Sequence, residues 1–255
     1  MERRQFLKQC AAGPILLAAV HIRAAQDEQS SAPVEGADTA YAAADHYYGM
    51  AIDISKCIGC GRCAEACKTE NDVPREPAYF RTWIERYSIV EGEEPIVESP
   101  NGGLDGFPPL EHARARGILR SFFVPKLCNH CDSAPCVQVC PVGATFTTPD
   151  GVVLVDEDYC VGCRYCIQAC PYGARYLDPE THTAEKCTFC YHRVVKGLAP
   201  ACVEVCPTGA RMFGEIKQRN SPLTHFRRLS ELQVLKPNLN TKPKVYYANL
   251  DGEVR

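Results

Sequence analysis

The chain has 255 residues, of which 45% are hydrophobic and 23% charged, and its formal net charge is −3. That length suffices for one or two domains with a sizeable core, and the charge excludes a basic nucleic-acid surface. The outlier is cysteine, at 17; such a density means disulfides, metal sites or redox cofactors, and the spacing has to decide.

At the start, Arg3 and Arg4 precede Gln5-Phe6-Leu7-Lys8 and an apolar run from Ala11 to Val20. That run is too short to span a bilayer comfortably. A charged start, a short apolar run and the small residues Ala24 and Ala25 read as an export signal over residues 1–25. The paired arginines resemble the twin-arginine signal, which exports folded, cofactor-loaded proteins. They predict a periplasmic protein, peripheral to the inner membrane through its partners. Two features depart from the pattern. Glu2 stands where Ser or Thr is usual, and neither Ile22 nor Arg23 is small. Cys10 lies inside this segment and is given no role. Residues 26–48 are polar, small and aperiodic, and read as a flexible linker.

The segment MAIDIS, from Met50, reads as a strand. The remaining sixteen cysteines then fall into four quartets. Cys57, Cys60, Cys63 and Cys67 are spaced C-x2-C-x2-C-x3-C. A stretch without cysteine follows, from Lys68 to Lys126, holding the only tryptophan, Trp83, and a Pro/Gly-rich loop, SPNGGLDGFPPL. Trp83 is expected to pack in the core under that loop, and the loop either packs as structure or offers a partner a docking surface. Cys128, Cys131, Cys136 and Cys140 have a widened middle gap. ATFTTPDGVVLVDED, next in order, reads as a hairpin turning at Pro-Asp-Gly. Cys160, Cys163, Cys166 and Cys170 repeat the first spacing. Cys187, Cys190, Cys202 and Cys206 contain an eleven-residue gap. Three quartets end in Cys-Pro and continue as CPVGATF, CPYGARYL and CPTGARMF, each a helix end, a Gly turn and a short strand. The C-terminal SPLTHFRRLSELQVL opens with Ser221-Pro222 and has helical apolar spacing.

The run C-x2-C-x2-C-x3-C-P is the bacterial ferredoxin signature. Three thiolates two residues apart let a tight loop wrap one face of a four-iron four-sulfur cube, with backbone N–H groups free to point at sulfur. Gly59, Gly61 and Gly162 allow close approach. Proline after the fourth cysteine ends the short helix, and that cysteine is turned away from the first cube. Cys160, Cys163 and Cys166 therefore hold one cluster and Cys170 another, the crossover of two-cluster ferredoxins. A disulfide scaffold is disfavoured, since such scaffolds are small chains without a core and repeated C-x2-C steps would make strained bridges. Zinc sites pair two C-x2-C units across a longer gap, unlike the triple C-x2-C-x2-C seen twice. His130 and His192 lie inside complete quartets, so they are read as packing or hydrogen-bonding groups rather than ligands. Lys56, Arg62, Lys126, Arg164 and Lys186 flank the cysteines and either offset cluster charge or form a solvated face. No nucleophile–base pair, phosphate loop or dinucleotide fingerprint is visible.

Four quartets in this order, with the widened CNHCDSAPC and the long-gap CTFCYHRVVKGLAPACVEVC, resemble the four-cluster iron–sulfur subunits of the molybdopterin oxidoreductases. The resemblance covers roughly residues 49–250. It implies an α+β fold of two bacterial-ferredoxin-like two-cluster halves, nested in sequence, with a loop-rich insert and a C-terminal extension. The first half would take residues 49–68 and 180–216, the insert 69–120, the second half 121–179 and the extension 217–255. Spacing alone allows several pairings of quartets; the resemblance implies that the first pairs with the fourth and the second with the third. One cluster would then take Cys57, Cys60, Cys63 and Cys206, and the next Cys187, Cys190, Cys202 and Cys67. The third would take Cys128, Cys131, Cys136 and Cys170, and the fourth Cys160, Cys163, Cys166 and Cys140. The implied function is relay of single electrons through four 4Fe-4S clusters. The partners would be a quinone-reactive integral membrane subunit and a molybdopterin catalytic subunit or a cytochrome. Within the family, KCIGCGRCAEACKTENDVP followed by FRTWIERY is most similar to the periplasmic iron–sulfur subunit of the Dsr membrane complex of sulfur metabolism, which has no molybdopterin subunit. The competing readings are a free-standing soluble polyferredoxin shuttle and a zinc-stabilised interaction protein.

Overall fold

The computed structural model describes residues 41–109 and 117–254. Arg3, Arg4, the rest of the export segment and the linker as far as residue 40 lie outside the described residues.

In chain order the elements are β1 (Tyr48–Asp53), α1 (Arg62–Glu70), β2 (Thr82–Val90), β3 (Ile96–Glu98), β4 (Ile118–Leu127), α2 (Pro135–Gln138), β5 (Thr145–Thr147) and β6 (Val153–Val155). They continue as α3 (Tyr165–Gln168), β7 (Arg175–Leu177), β8 (Ala184–Lys186), α4 (Tyr191–Val194), α5 (Ala201–Glu204), β9 (Arg211–Glu215), α6 (Pro222–Leu229), β10 (Leu232–Gln233) and β11 (Val245–Ala248). Short helices and small sheets make this the expected α+β fold.

One unit recurs. A Cys-Pro-x-Gly-Ala turn leads each time into a short strand that finds an antiparallel partner. After Cys140, β5 pairs with β6. After Cys170, β7 pairs with β8. After Cys206, β9 pairs with β1, with Ile52 opposite Arg211 and Tyr48 opposite Glu215. The third pair therefore joins segments from opposite ends of the chain, which is the nesting of the two halves in physical form. On its other side β1 carries β11 in parallel register, with β10 outside it. With neighbours on both edges, β1 is buried along its whole length, as a continuous apolar run requires. The C-terminal extension thus completes the sheet of the first half. In it, α6 is capped as its sequence predicts: the Ser221 hydroxyl accepts from the Thr224 N–H at 3.0 Å, with Pro222 in the first turn.

Three boundaries differ from expectation. β4 pairs with β2 over nearly its full length, making with β3 a three-stranded sheet. The border between 120 and 121 cuts that strand, because the insert's sheet is completed by the residues leading into the second quartet. The border between 179 and 180 likewise cuts the β7–β8 hairpin, since cysteine spacing rather than strand pairing had set it. Finally, residues 41–47 are a packed strap and no part of a linker. The Tyr41 hydroxyl donates to the buried Asp150 carboxylate, which also accepts from the Tyr191 hydroxyl at 2.9 Å. The Tyr47 N–H donates to Glu215 at 2.8 Å, and the Tyr47 hydroxyl to Asp132 at 2.5 Å. The rings of Tyr41, His46, Tyr48 and Phe213 stack in succession. Polar composition hid this, because the side chains are aromatics with polar tips.

The loop at 99–108 packs as structure. Gly102 and Gly103 are buried, and Phe107 lies against Phe123. Trp83 is half-buried in β2 and donates its indole N–H to Glu85 at 2.8 Å. Among the described residues no helix is long and apolar enough to cross a membrane.

Candidate metal centre

The thiols are part of the core. Cys63, Cys128, Cys187 and Cys202 belong to one apolar cluster with Met50, Ile52, Phe189 and Tyr247. Cys131, Cys136 and Cys166 share a second with Ala134, Val153 and Ala184. Helices bring quartets together in the same way: α1 packs on α5, and α2 on α3.

The clearest convergence is a small cavity, of about 10 Å³, lined by Cys67, Cys187, Cys190 and Cys202, with Asn71 and Arg81 on its wall. The fourth cysteine of the first quartet therefore stands among three of the fourth quartet. Burial drives the Cys67 thiol well above its ordinary pKa, and the charges of Cys187, Cys202 and Cys190 push it further. Burial also takes Cys57 up to about 11, with Cys63 and Cys206 adding to it. Cys131 is pushed up to about 12 by burial, against the Thr241 hydroxyl, with Cys128, Cys136 and Cys170 contributing. Cys166 packs in the same apolar cluster as Cys131 and Cys136, with Cys160 against it. Cys60 and Cys163 are exposed.

Polar groups face these sulfurs. The Phe189 N–H donates to Cys187, the Ala184 N–H to Cys160 and the Thr145 N–H to Cys140, each at 3.4 Å. The Asn71 amide reaches Cys190 at 3.6 Å and Cys67 at 3.7 Å. At Cys140, burial raises the thiol pKa, but the N–H groups of Thr145, Val142 and Ala144 more than offset it and hold the pKa low. Cys206 is likewise lowered: burial opposes, and N–H groups of Arg211 and Ala210 with the Thr208 hydroxyl prevail. These are the first residues of the two Cys-Pro-x-Gly-Ala turns that precede β5 and β9. The turns are built to hold a thiolate.

Several buried polar atoms make no well-formed hydrogen bond, the Asn129 amide, His130 Nε2 and Arg175 Nη2, although the Cys187 backbone faces His130 and the Cys136 thiol faces the Arg175 guanidinium. His130 accepts the Val153 N–H at Nδ1, at 3.1 Å, so its proton sits on Nε2. Buried donors are almost always satisfied. Donors left over beside clustered thiols fit a group that brings sulfide acceptors of its own. A 4Fe-4S cube does so, and the residues present fit it. His130 is a stacking group, 3.7 Å from the Phe189 ring centroid, and burial holds its pKa well below the usual imidazole value. His192 is exposed and pairs with Glu70 at 2.8 Å.

Of the flanking cations, Lys56, Arg62 and Arg164 are exposed, whereas Lys126 and Lys186 are buried. The Lys186 ammonium donates to the Val153 carbonyl and, at 2.8 Å, to that of Cys187. Three arginines beside the thiols escaped notice in the sequence, Arg175 and Arg211 buried and Arg81 half-buried. Arg81 pairs with Glu185 at 2.6 Å; Arg175 and Arg211 stand against thiols. The glycines make room for protein. A Cβ on Gly61 (φ +74°) would lie 2.5 Å from the Gly103 carbonyl oxygen, and one on Gly162 (φ +64°) 2.6 Å from that of His182.

Comparison with known proteins agrees with this chemistry. One 4Fe-4S dicluster domain is matched over residues 56–144 and another over residues 119–216. A tetrathionate reductase subunit of Salmonella typhimurium is 41% identical over 210 residues, 81% of this chain and 74% of that protein. One component of the polysulfide reductase of Wolinella succinogenes is 38% identical over 202 residues, 78% of this chain and 92% of that one. The arsenate respiratory reductase iron–sulfur subunit of a Shewanella species is 34% identical over 252 residues, 80% and 97% respectively. The chain belongs to the family of four-cluster, ferredoxin-type iron–sulfur subunits of the molybdopterin oxidoreductases. Its cofactors are four 4Fe-4S clusters, each taking and giving one electron. It is an electron-transfer component of a reductase complex, and substrate chemistry belongs to another subunit.

Proposed function

We propose that the chain conducts electrons within a membrane-attached, periplasmic complex that reduces or oxidises a sulfur compound. A quinone-reactive integral membrane subunit lies at one end and a molybdopterin catalytic subunit at the other. The four ligand sets are Cys57, Cys60 and Cys63 with Cys206; Cys187, Cys190 and Cys202 with Cys67; Cys128, Cys131 and Cys136 with Cys170; and Cys160, Cys163 and Cys166 with Cys140. The observation that carries the ligand sets is the cavity where Cys67 meets Cys187, Cys190 and Cys202. A fourth cysteine that leaves its own quartet there supports the same crossover in the other three. The exposed Cys60 and Cys163 fall in the first and last sets, which favours these as the ends that meet partners. Relatives named for tetrathionate and polysulfide reductases favour sulfur chemistry. The start of the sequence, with Arg3 and Arg4 ahead of a short apolar run, favours folded export.

The test is gentle purification from detergent-solubilised membranes, with every co-purifying protein identified and molybdenum assayed. A large molybdenum-bearing subunit together with a membrane protein is the expected result. A cytochrome and a quinone-reactive membrane protein without molybdenum would replace the catalytic partner with the Dsr-type one. A chain recovered alone in the soluble fraction would make it a free-standing shuttle.

A further inference from the structure

Two of the recurring turns, Cys170-Pro-Tyr-Gly-Ala-Arg175 and Cys206-Pro-Thr-Gly-Ala-Arg211, end in arginine at the same position. Both side chains point inward, Arg175 being 6% exposed and Arg211 3%. The third turn has Thr145 there, and its hydroxyl accepts from Arg175 Nη1 at 3.4 Å. Arg211 Nη2 donates to the Thr82 hydroxyl at 2.8 Å, and Nη1 to Cys202 Sγ at 3.7 Å. No carboxylate is among these described partners, unlike Arg81, which has Glu185. Arg175 Nη2 makes no well-formed hydrogen bond, and the Cys136 thiol faces the guanidinium.

A buried guanidinium without a counter-charge is costly, and each of these two has thiols of two different quartets around it. The thiols acting on Arg175 are Cys136 and Cys128 of the second quartet and Cys166 of the third. Those acting on Arg211 are Cys63 and Cys57 of the first and Cys202 of the fourth. Each arginine thus stands between the two clusters of one half. A cube held by four thiolates is negative, and reduction makes it more so. A fixed cation a few ångströms away in a low-dielectric interior favours the reduced form.

We infer that Arg175 and Arg211 are potential-setting residues, one in each half, and that each raises the reduction potentials of both clusters in its own half while leaving the other half unchanged. This rests on the ligand sets proposed above.

The experiment is a redox titration of the full chain, loaded with its clusters and followed by electron paramagnetic resonance, for Arg175→Gln and Arg211→Gln. Iron and acid-labile sulfide are measured on every sample. Arg211→Gln is expected to lower the one-electron reduction constants of the Cys57 and Cys67 sets by at least tenfold, 59 mV for one electron. The Cys128 and Cys160 sets stay in place. Arg175→Gln gives the mirror result, and either Lys variant keeps most of the wild-type potential. Where a Gln variant fails to accumulate, Thr82→Asp and Thr145→Asp neutralise the guanidinium without removing it, and the same downward shifts are expected. Fully loaded variants whose potentials do not move, or in which all four clusters move equally, would overturn the assignment. A wild-type chain lacking cubes by iron and sulfide analysis would instead overturn the ligand sets beneath it.

Discussion

Cys166 and Cys170 are four residues apart, yet they pack on different apolar clusters. Cys166 packs with Cys131, Cys136, Val153 and Ala184, with Cys160 against it, whereas Cys170 lies against the cluster that holds Cys128. Cys170 adds to the charge felt by Cys131 and Cys136, and burial together with Cys128 raises its own thiol. Cys170→Ser should therefore remove the signal of the Cys128 set and about one cluster's iron, with the Cys160 set left intact. Electron paramagnetic resonance of the reduced chain distinguishes the two, and loss of the Cys160 set alone would sink the crossover. The cysteines were legible from sequence because a cube imposes a spacing that little else uses. The charges around them were not. Lys56, Arg62 and Arg164 flank cysteines in sequence and face solvent, while Lys186, in the same pattern, is 1% exposed. Arg175 and Arg211 read only as the starts of strands. What turns them inward is the pairing of β7 with β8 and of β9 with β1, a long-range fact in the second case.

At the scale of elements, the strap at 41–47 ties together parts from both halves. Asp150, at the turn of the β5–β6 hairpin, accepts from Tyr41 of the strap and from Tyr191 on α4, and its own carbonyl accepts the Tyr48 N–H at 3.1 Å. The hairpin was read from Pro-Asp-Gly as a local turn. That the aspartate carboxylate would also be a buried hub could not be read locally, since both tyrosines are distant in sequence. A hydrogen bond to a charged group contributes about 1.5–3 kcal/mol, and a buried carboxylate left short of a donor suffers the most. Tyr41→Phe should thus lower stability by about 2 kcal/mol with full cluster content, seen as a lower urea midpoint at unchanged slope. An unchanged midpoint would mean that the strap merely lies on the surface. The C-terminal extension invites the same reasoning. Its sequence predicted a helix, and α6 is there, but β11 was not foreseen as the neighbour that buries β1.

On the scale of the whole molecule, the core is apolar only in part: Cys63, Cys128, Cys187 and Cys202 sit inside it beside Met50, Ile52 and Tyr247. Without iron, the thiols that burial raises must stay protonated. Burial already raises Cys67, Cys131, Cys187 and Cys202, and neighbouring thiols push the same way. Arg175 and Arg211 would then be buried cations with only hydroxyls and thiols against their guanidinium groups, a state that costs several kcal/mol each. The Asn129 amide would keep no partner. Domains of this size are stable by about 5–15 kcal/mol, so two such penalties remove most of that margin. Cluster binding and folding are therefore one equilibrium, as in other small metal-dependent folds. Stripping iron with a chelator under mild oxidation, then reducing every thiol, should leave a chain without near-UV circular dichroism and open to protease across residues 41–254. Trp83, the single tryptophan, sits half-buried on β2, against the core that holds the thiols, and its emission should move to that of a solvated indole. A reduced, iron-free chain that kept its near-UV spectrum and its protease resistance would show that the apolar strands suffice alone, with the cubes as passengers in a preformed fold.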